Sequence, residues 1–280
     1  MNSSAYFTPG MSLAAALRSA PLDTLENRIL LSHALQLTRI QLITQSERSL
    51  SSDEVLQLTA LFERRLRGEP IAYIVGEREF FGLPLQVTPA VLIPRPETEL
   101  LVELALDRLP PGGWGLDMGT GSGAIAVAIA HTRADVTMTA LDISEDALLV
   151  ARSNAQRHGT SVQFLHSNWY EALGTDMRHA LDLIAANPPY IVAGDTHLSQ
   201  GDLRFEPVSA LTDHADGLSA LRIIVDGAKV FLKPHGWLLM EHGYDQVDAV
   251  RELLSAQGFT EVQSWNDLAG IARVSGGRRA

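Results

Sequence analysis

The stretch DMGTGSG at residues 117–123 decides the fold. It separates the apolar segment Trp114–Met118 from a run of small apolar residues, so it predicts a strand, a tight glycine turn and a helix. Glycines also let backbone N–H groups approach a ligand closely. Their spacing is GxGxG, not the GxGxxG of the dinucleotide fingerprint, and a glycine turn alone is weak evidence for any one ligand.

Strands and helices alternate after this turn, which predicts an α/β fold with a mostly parallel sheet covered on both faces. The predicted parallel strands are Trp114–Met118, Val136–Asp142, Val162–His166, Leu181–Ala186 and Trp237–Glu241. The predicted helices are Gly123–His131, Glu145–His158, Leu218–Leu232 and Gln246–Gln257. Segments 261–265 and 271–274 predict a terminal antiparallel hairpin, and we expect the tail 276–280 to be frayed.

The chain before the sheet has a different organisation. Apolar residues at helical spacing predict helices over residues 12–68, and Ser51 with Glu54 forms a capping-box pattern. Residues 71–92 favour short strands with a hairpin, and a helix is expected over 98–109. The predicted domains are a helical domain at 1–70, a hairpin and linker helix at 71–110, and the sheet domain at 111–280.

Composition indicates a soluble globular protein, with 280 residues of which 46% are hydrophobic and 20% charged. The absence of cysteine excludes disulfides, cysteine nucleophiles and thiolate metal sites. Residues 1–12 lack the basic start and apolar core of a signal peptide, and the longest run of small apolar residues, Ala124–Ala130, is far shorter than a membrane span. We therefore predict a cytoplasmic protein with no membrane partner.

The net charge of −11, from 33 acidic and 22 basic residues, argues against a nucleic acid partner, because phosphate binding usually needs a basic face. The nine histidines form no HxH or HxxxH pair. Neither a Walker-type phosphate loop nor a Gly-x-Ser-x-Gly nucleophile motif occurs. We predict no metal and no covalent intermediate.

Polar and aromatic residues follow the next two predicted strands. Asp142 ends the second strand, where a carboxylate can accept hydrogen bonds from both hydroxyls of a ribose. Asn168 and Trp169 follow the third strand, at a position where they could meet an adenine. Taken singly, Asp142 could instead cap the helix that begins near Ser144, and Trp169 could be part of the core.

The fourth strand is followed by Asn187-Pro188-Pro189-Tyr190. Prolines have no N–H group and favour an extended residue before them, so the strand ends in a stiff loop with an amide side chain and free carbonyls. Such a loop can bind an NH2 group through both hydrogens, although a plain turn is the alternative. The four features occupy the ends of four successive strands, where open α/β sheets bind ligands, and together they favour a binding site.

The chain resembles the S-adenosylmethionine-dependent methyltransferases, and most specifically the PrmC/HemK group, the glutamine methyltransferases of bacterial peptide chain release factors. NPPY marks amide and amine methyltransferases widely, whereas LIPRPETE at 92–99, after EFFG at 79–82, is more specific to this group. We expect Arg95 in this segment to brace the active-site loop or to pair with Glu97 or Glu99. The other matching segments are 70–76, 205–207, 216–218, 241–243 and 267–273.

The resemblance implies a Rossmann-like methyltransferase fold, with a mostly parallel seven-stranded sheet, a terminal antiparallel hairpin and a small N-terminal helical domain. It implies S-adenosyl-L-methionine as cofactor and S-adenosyl-L-homocysteine as product. Asp142 would hold the ribose, Trp169 would lie beside the adenine, and Asn187 would also contact the cofactor. Many relatives have Asp where this chain has Asn168. The methionine part would lie against Gly119, Thr120, Gly121, Ser122 and Gly123.

The implied substrate is the glutamine of the Gly-Gly-Gln motif in class I release factors. It would be bound by Asn187, Pro188, Pro189 and Tyr190, with the Asn187 side-chain oxygen and the Pro188 carbonyl accepting the two amide hydrogens. No strong general base is required. A plain helical bundle and a docking domain are both open for residues 1–70 from their pattern, and the resemblance favours docking of the release factor. We expect a monomer.

Four alternatives remain at this stage. An N6-adenine DNA or RNA methyltransferase would use NPPY on a planar amine, but the acidic charge disfavours it. A ribosomal-protein glutamine methyltransferase shares NPPY but typically lacks the RPETE segment. A nicotinamide-dependent oxidoreductase would need GxGxxG spacing and leaves NPPY unexplained. A non-catalytic binding module is disfavoured by the intact NPPY.

Overall fold

The computed structural model describes residues 6–280, which form two compact units, 6–76 and 77–280. The boundary falls at Gly76 instead of residue 70. Among residues 6–76 the structure has five α-helices, and the first four confirm the helical prediction for 12–68. They are α1 (Leu13–Ser19), α2 (Thr24–Leu35), α3 (Arg39–Thr44), α4 (Ser52–Leu66) and α5 (Ile71–Val75).

Side-chain caps and one core define this first unit. The predicted capping box is confirmed: Ser51 and Glu54 exchange side-chain and backbone hydrogen bonds at the start of α4. The rings of Phe7 and Phe62 meet edge to face at 4.9 Å in a core of leucines from α1, α2 and α4. Helix α5 corrects the expectation of strands from residue 71, since strand propensity at Ile71–Val75 is overridden where Ile74 joins the same core.

The second unit begins with the expected hairpin of β1 (Glu77–Phe80) and β2 (Leu83–Gln86), which pair antiparallel. Its turn places Phe81 and Gly82 at positive φ, 53° and 76°. Helix α6 (Glu99–Arg108) follows at the predicted place. Its apolar face packs with the hairpin and with the helices that follow the glycine turn.

A seven-stranded sheet dominates this unit and confirms the predicted fold class. Strands β3 to β7 are parallel, β9 is antiparallel to both β7 and β8, and the order is β5-β4-β3-β6-β7-β9-β8. The strands are β3 (Trp114–Met118), β4 (Thr137–Asp142), β5 (Val162–His166), β6 (Leu181–Ala186), β7 (Leu232–Glu241), β8 (Phe259–Asn266) and β9 (Ala272–Arg279). The helices are α7 (Ala124–Thr132), α8 (Glu145–Arg157), α9 (Val208–Leu211), α10 (Ser219–Phe231) and α11 (Val247–Ala256).

The core lies on both faces of the sheet because successive side chains of a strand point to opposite sides. In β6, Leu183 and Ala185 pack with α6, α7 and α8, whereas Ile184 and Ala186 pack with α10 and α11. Residues 124–130 of α7 are all buried, which fits their uniformly small apolar character. Within residues 6–280, no helix combines the length and apolar character needed to cross a membrane.

The prediction of a frayed tail at 276–280 is wrong, because β9 continues to Arg279. The glycines of the tail suggested disorder, but glycine in a strand often marks the close approach of another backbone. A Cβ built on Gly276 would lie 2.5 Å from the Leu238 carbonyl oxygen and 2.7 Å from a Leu239 methyl group. Gly276 therefore permits close packing of β9 on β7.

Replacing Gly276 with Ala should lower the free energy of unfolding by about 1–3 kcal/mol, the usual cost of overpacking. Chemical denaturation measures the change. Gly277→Ala is the neighbouring comparison: its added methyl would lie 2.9 Å from the Phe259 Cβ and 3.4 Å from the Thr260 carbonyl oxygen, both longer than the 2.5 Å contact at Gly276, so a smaller loss is expected. An effect at Gly276 no larger than that at Gly277 would contradict this account.

Candidate active site

Sheet register places the glycine turn beside the NPPY loop. Met118 at the end of β3 lies opposite Ala186 at the end of β6, so Gly119 and Asn187 leave the sheet next to each other. The connection from β3 leads to β4 on one side, while β6 lies on the other side, which is the topological switch point where such sheets bind ligands.

The glycine turn is shaped by backbone conformation. Gly119, Gly121 and Gly123 have positive φ values of 71°, 56° and 83°. The N–H groups of Gly119 and Thr120 both donate to the Leu141 carbonyl, at 2.9 and 2.8 Å, which fastens the turn to β4. A Cβ on Gly123 would lie 3.1 Å from that of Ala151, so the turn also needs this glycine for close packing on α8.

Asp117 anchors the same turn, a role that the sequence reasoning missed. Its fully buried Oδ2 accepts from the Thr120 hydroxyl at 2.6 Å and from the Ala126 N–H at 3.2 Å. Oδ1 is buried without a hydrogen-bond partner among the described residues, and burial raises the pKa of Asp117 to about 7. An acidic residue two positions before the first glycine of the turn was the available signal.

Asp142 is the last residue of β4 and lies beside the glycine turn. Its two carboxylate oxygens accept from the N–H groups of Gly121 and Ser144 at 2.8 and 2.9 Å, and burial raises its pKa. Asp142 is not the cap of α8. That cap is Ser144, whose side chain accepts from the Ala147 N–H at the start of the helix. The Asp142 carboxylate instead contributes to a cavity wall.

A cavity of about 370 Å³ opens at these strand ends, a size typical of small-molecule sites. Thr120 and Ser122 are buried in the turn. Trp169 is partly buried and packs on the core, as its alternative interpretation predicts, and it also lines this cavity. Six of the predicted site residues line the cavity: Gly119, Gly121, Asp142, Trp169, Asn187 and Pro189.

Asn168 also lines this cavity, and its side-chain nitrogen donates to Glu171 at 2.9 Å. A side-chain amide has one oxygen acceptor besides its nitrogen donor. The contact with Glu171 uses one of the two hydrogens of that nitrogen, so Asn168 can offer a ligand its amide oxygen and one N–H group.

The NPPY loop lines both the first cavity and a second one of about 580 Å³. Asn187 and Pro189 line the first, Tyr190 lines the second, and Pro188 is buried. The Asn187 side-chain nitrogen donates to the Thr98 hydroxyl at 3.1 Å. The Tyr190 hydroxyl, whose pKa is raised by burial, donates to Glu241 at 3.4 Å.

Arg95 pairs with Glu206, which corrects the expected pairing with Glu97 or Glu99. Glu206 is almost fully buried and also accepts from the Ile93 N–H, so it ties the LIPRPETE segment to the chain near Pro207. Glu99 instead accepts from the Phe81 N–H at 3.0 Å. Pairing over more than 100 residues of sequence leaves no local signal, which explains the error.

Among residues 6–280, no group of three or more His, Asp or Glu side chains is arranged to hold a metal ion.

The fold and the strand-end cavity define the class of protein. A solved methyltransferase structure from Pyrococcus furiosus superposes with a TM-score of 0.54 at 20% identity, covering 78% of this chain and 97% of that one, which supports the fold. Family models match at residues 12–76, the PrmC N-terminal domain, and at 96–203, the methyltransferase small domain. The protein is therefore an S-adenosylmethionine-dependent methyltransferase.

Curated relatives narrow this class to one family. A release factor glutamine methyltransferase from Burkholderia pseudomallei is 54% identical over 95% of both chains. One from Neisseria gonorrhoeae is 49% identical, covering 92% of this chain and 94% of its own. The chain belongs to the release factor glutamine methyltransferase family, and the resemblance drawn from the sequence is confirmed.

The ionisation of Asp117 should appear in the pH dependence of stability. Its folded pKa of about 7 exceeds the ordinary value of 3.8, so its contribution to stability is complete below about pH 4 and is lost as the pH rises through 7. Asp117→Asn cannot ionise, so its free energy of unfolding relative to wild type should increase from pH 5 to pH 8. For one group that ionises on unfolding, each pH unit changes the free energy of unfolding by about 1.4 kcal/mol. The increase for Asp117→Asn relative to wild type should be at least that large.

Denaturation curves at several pH values measure this difference. Asp107→Asn, at an exposed side chain, is the control for replacing an Asp with Asn elsewhere in the chain. A difference between Asp117→Asn and wild type that stays constant across the range would contradict the buried carboxylate.

Proposed function

We propose that the protein transfers the methyl group of S-adenosyl-L-methionine to the side-chain amide nitrogen of the glutamine in the Gly-Gly-Gln motif of class I release factors. The observation that carries this proposal is the NPPY loop, which lines two cavities, with Asn187 facing the glycine-turn cavity and Tyr190 facing the second. This arrangement suits a methyl donor on one side and a planar amide on the other.

The residues around the first cavity fit S-adenosylmethionine. The Asp142 carboxylate is an acceptor for two ribose hydroxyls, because each of its oxygens keeps further accepting capacity beyond one backbone N–H. Trp169 offers an aromatic wall for a purine, with the Asn168 oxygen beside it. Gly119 and Gly121 leave backbone without side chains where the methionine part would lie.

The chemistry requires positioning more than acid–base catalysis. An amide nitrogen is a poor nucleophile because its lone pair is delocalised into the carbonyl. Bound S-adenosylmethionine supplies an electrophilic methyl group. The Asn187 side-chain oxygen and the Pro188 carbonyl would accept the two amide hydrogens, aim the nitrogen and stabilise positive charge that develops on it. Tyr190 would pack against the amide plane and exclude water.

The partner of this enzyme is a protein, in our proposal, and residues 1–70 dock the release factor. The family relationship to release factor methyltransferases supports this substrate. The net charge of −11 disfavours nucleic acid as the methyl acceptor. We place a monomeric enzyme in the cytoplasm, where translation supplies the substrate.

A labelled-methyl transfer assay tests the substrate class. Purified release factor and, separately, plasmid DNA and total RNA are incubated with the enzyme and methyl-labelled cofactor. Label on the release factor alone is the expected result. Label on nucleic acid, with none on the release factor, would favour the N6-adenine alternative.

Asn187→Ala should lower kcat for release factor methylation by about 10²–10³, the usual loss when one preorganised transition-state hydrogen bond is removed. Binding of S-adenosylmethionine, measured by calorimetry, should remain detectable. Asn266→Ala, at an exposed position at the end of β8 outside both cavities, is the control and should keep the wild-type rate. Undiminished turnover by Asn187→Ala would reject the proposed role.

If the helical unit docks the release factor, substitutions on its surface should raise KM for the release factor and leave KM for S-adenosylmethionine unchanged. Ile40 and Ile43 on α3 are 72% and 68% exposed, unusual for isoleucine. Replacing both with Asp should raise KM for the release factor about tenfold, the equivalent of 1.4 kcal/mol, and leave KM for the cofactor unchanged. Leu149→Asp, at an exposed position of α8, is the matched control. An unchanged KM in the double variant would count against docking through α3.

A further inference from the structure

The side chains of Asn187 and Tyr190 in the NPPY loop are each hydrogen-bonded to a buried side chain from outside the motif. Thr98, which is 4% exposed, accepts a hydrogen bond from the Asn187 side-chain nitrogen through its hydroxyl oxygen, at 3.1 Å. Glu241, which is 1% exposed, accepts from the Tyr190 hydroxyl at 3.4 Å. The first and last residues of NPPY are therefore both held by distant parts of the chain, and the Tyr190 carbonyl also accepts from Gln246 at 3.0 Å.

Strand register explains why Glu241 is at this place. Ala186 of β6 lies opposite Met240 of β7, so Glu241, the last residue of β7, lies beside Asn187. Its Oε2 is buried without a hydrogen-bond partner among the described residues, so this carboxylate has unused accepting capacity. Burial raises the pKa of Glu241 to about 7, and hydrogen bonding by Thr98 and Tyr190 opposes that rise.

The number of available hydrogens determines which group donates and which accepts among Asn187, Thr98 and Glu241. A threonine hydroxyl has a single hydrogen, and an ionised carboxylate can only accept. Thr98 adjoins Glu241 closely enough to lower the pKa of that carboxyl, and the buried Oε2 is an open acceptor, so an ionised Glu241 attracts the Thr98 hydrogen. Thr98 then accepts from the Asn187 NH2 group through its oxygen, and the Asn187 oxygen is left to accept from another group.

We propose that Thr98 and Glu241 are positioning residues that hold the Asn187 amide in the one orientation that accepts a hydrogen from a substrate NH2 group. With the amide flipped, two NH2 groups would face each other and the substrate nitrogen would lose its acceptor. This inference rests on the proposed function and adds two residues outside NPPY to it.

Protonation of Glu241 removes the constraint. The neutral acid carries a hydrogen of its own, so Thr98 is free to donate toward Asn187 and both amide orientations become possible. The other titratable or charged groups around the second cavity, into which Glu241 faces, are Arg95, Glu97, Tyr190, His197, Asp202 and Arg273. Of these, Arg273 lowers the pKa of Glu241 and Glu97 raises it.

A pair of substitutions at Thr98 separates orientation from packing. Thr98→Val keeps the shape and removes the hydroxyl, and Thr98→Ser keeps the hydroxyl. We expect Thr98→Val to lower kcat for release factor methylation about tenfold or more, with KM for S-adenosylmethionine and the melting temperature near wild type. Thr98→Ser should stay within about threefold of the wild-type kcat. A wild-type kcat in Thr98→Val, or an equal loss in both variants, would overturn the proposal.

The pH profile of kcat tests Glu241. Glu241→Gln cannot ionise, so the part of the wild-type profile that falls as the pH drops through about 7 should be absent, and its lower kcat should be constant from pH 6 to 8. A variant profile with the same acidic limb as wild type would overturn the role of Glu241. If Glu241→Gln does not fold, as judged by circular dichroism, the comparison of Thr98→Val with Thr98→Ser decides.

The wild-type assay keeps the two proposals distinct. Failure of the wild-type enzyme to methylate release factor would reject the proposed function itself. Normal wild-type activity together with an unaffected Thr98→Val would reject the positioning network only.

Discussion

The pairing of Met118 with Ala186 on adjacent parallel strands is the constraint on which the rest of the site depends. It brings the glycine turn and the NPPY loop to one edge of the sheet, although they are about 70 residues apart in sequence. Parallel strands must end at the same edge, so every residue that follows a strand there becomes a candidate ligand contact. A shift of register by one residue would exchange the two faces of β6 and bury the wrong side chains.

Buried carboxylates hold the loops at this edge. Asp117 fastens the glycine turn, Glu206 receives Arg95 and the Ile93 N–H, and Glu241 receives Tyr190. Burying a carboxylate is unfavourable unless hydrogen bonds compensate, and burial raises the pKa of all three. Two of these three carboxylates, Asp117 and Glu241, have pKa values of about 7, so their charge changes with pH near neutrality. The pH therefore affects how firmly the loops that they hold are fixed.

The sequence predicted what depends on local pattern and on strand order. The alternation after residue 113 gave the parallel sheet, and the capping box of Ser51 gave the start of α4. Local sequence patterns do not predict long-range partners. The pairing of Arg95 with Glu206 and the contact of Thr98 with Asn187 join segments that are far apart in the chain. The tail was misjudged because the two glycines there indicate either disorder or tight strand packing, and only the neighbouring backbone of Leu238 decides between them.

The most direct test of the whole account is tandem mass spectrometry of a class I release factor after incubation with the enzyme and S-adenosylmethionine. The account predicts a single added methyl group, about 14 Da, on the side-chain amide of the Gly-Gly-Gln glutamine, and none when the cofactor is omitted. An unmodified Gly-Gly-Gln peptide, or a methyl group at any other residue, would contradict it.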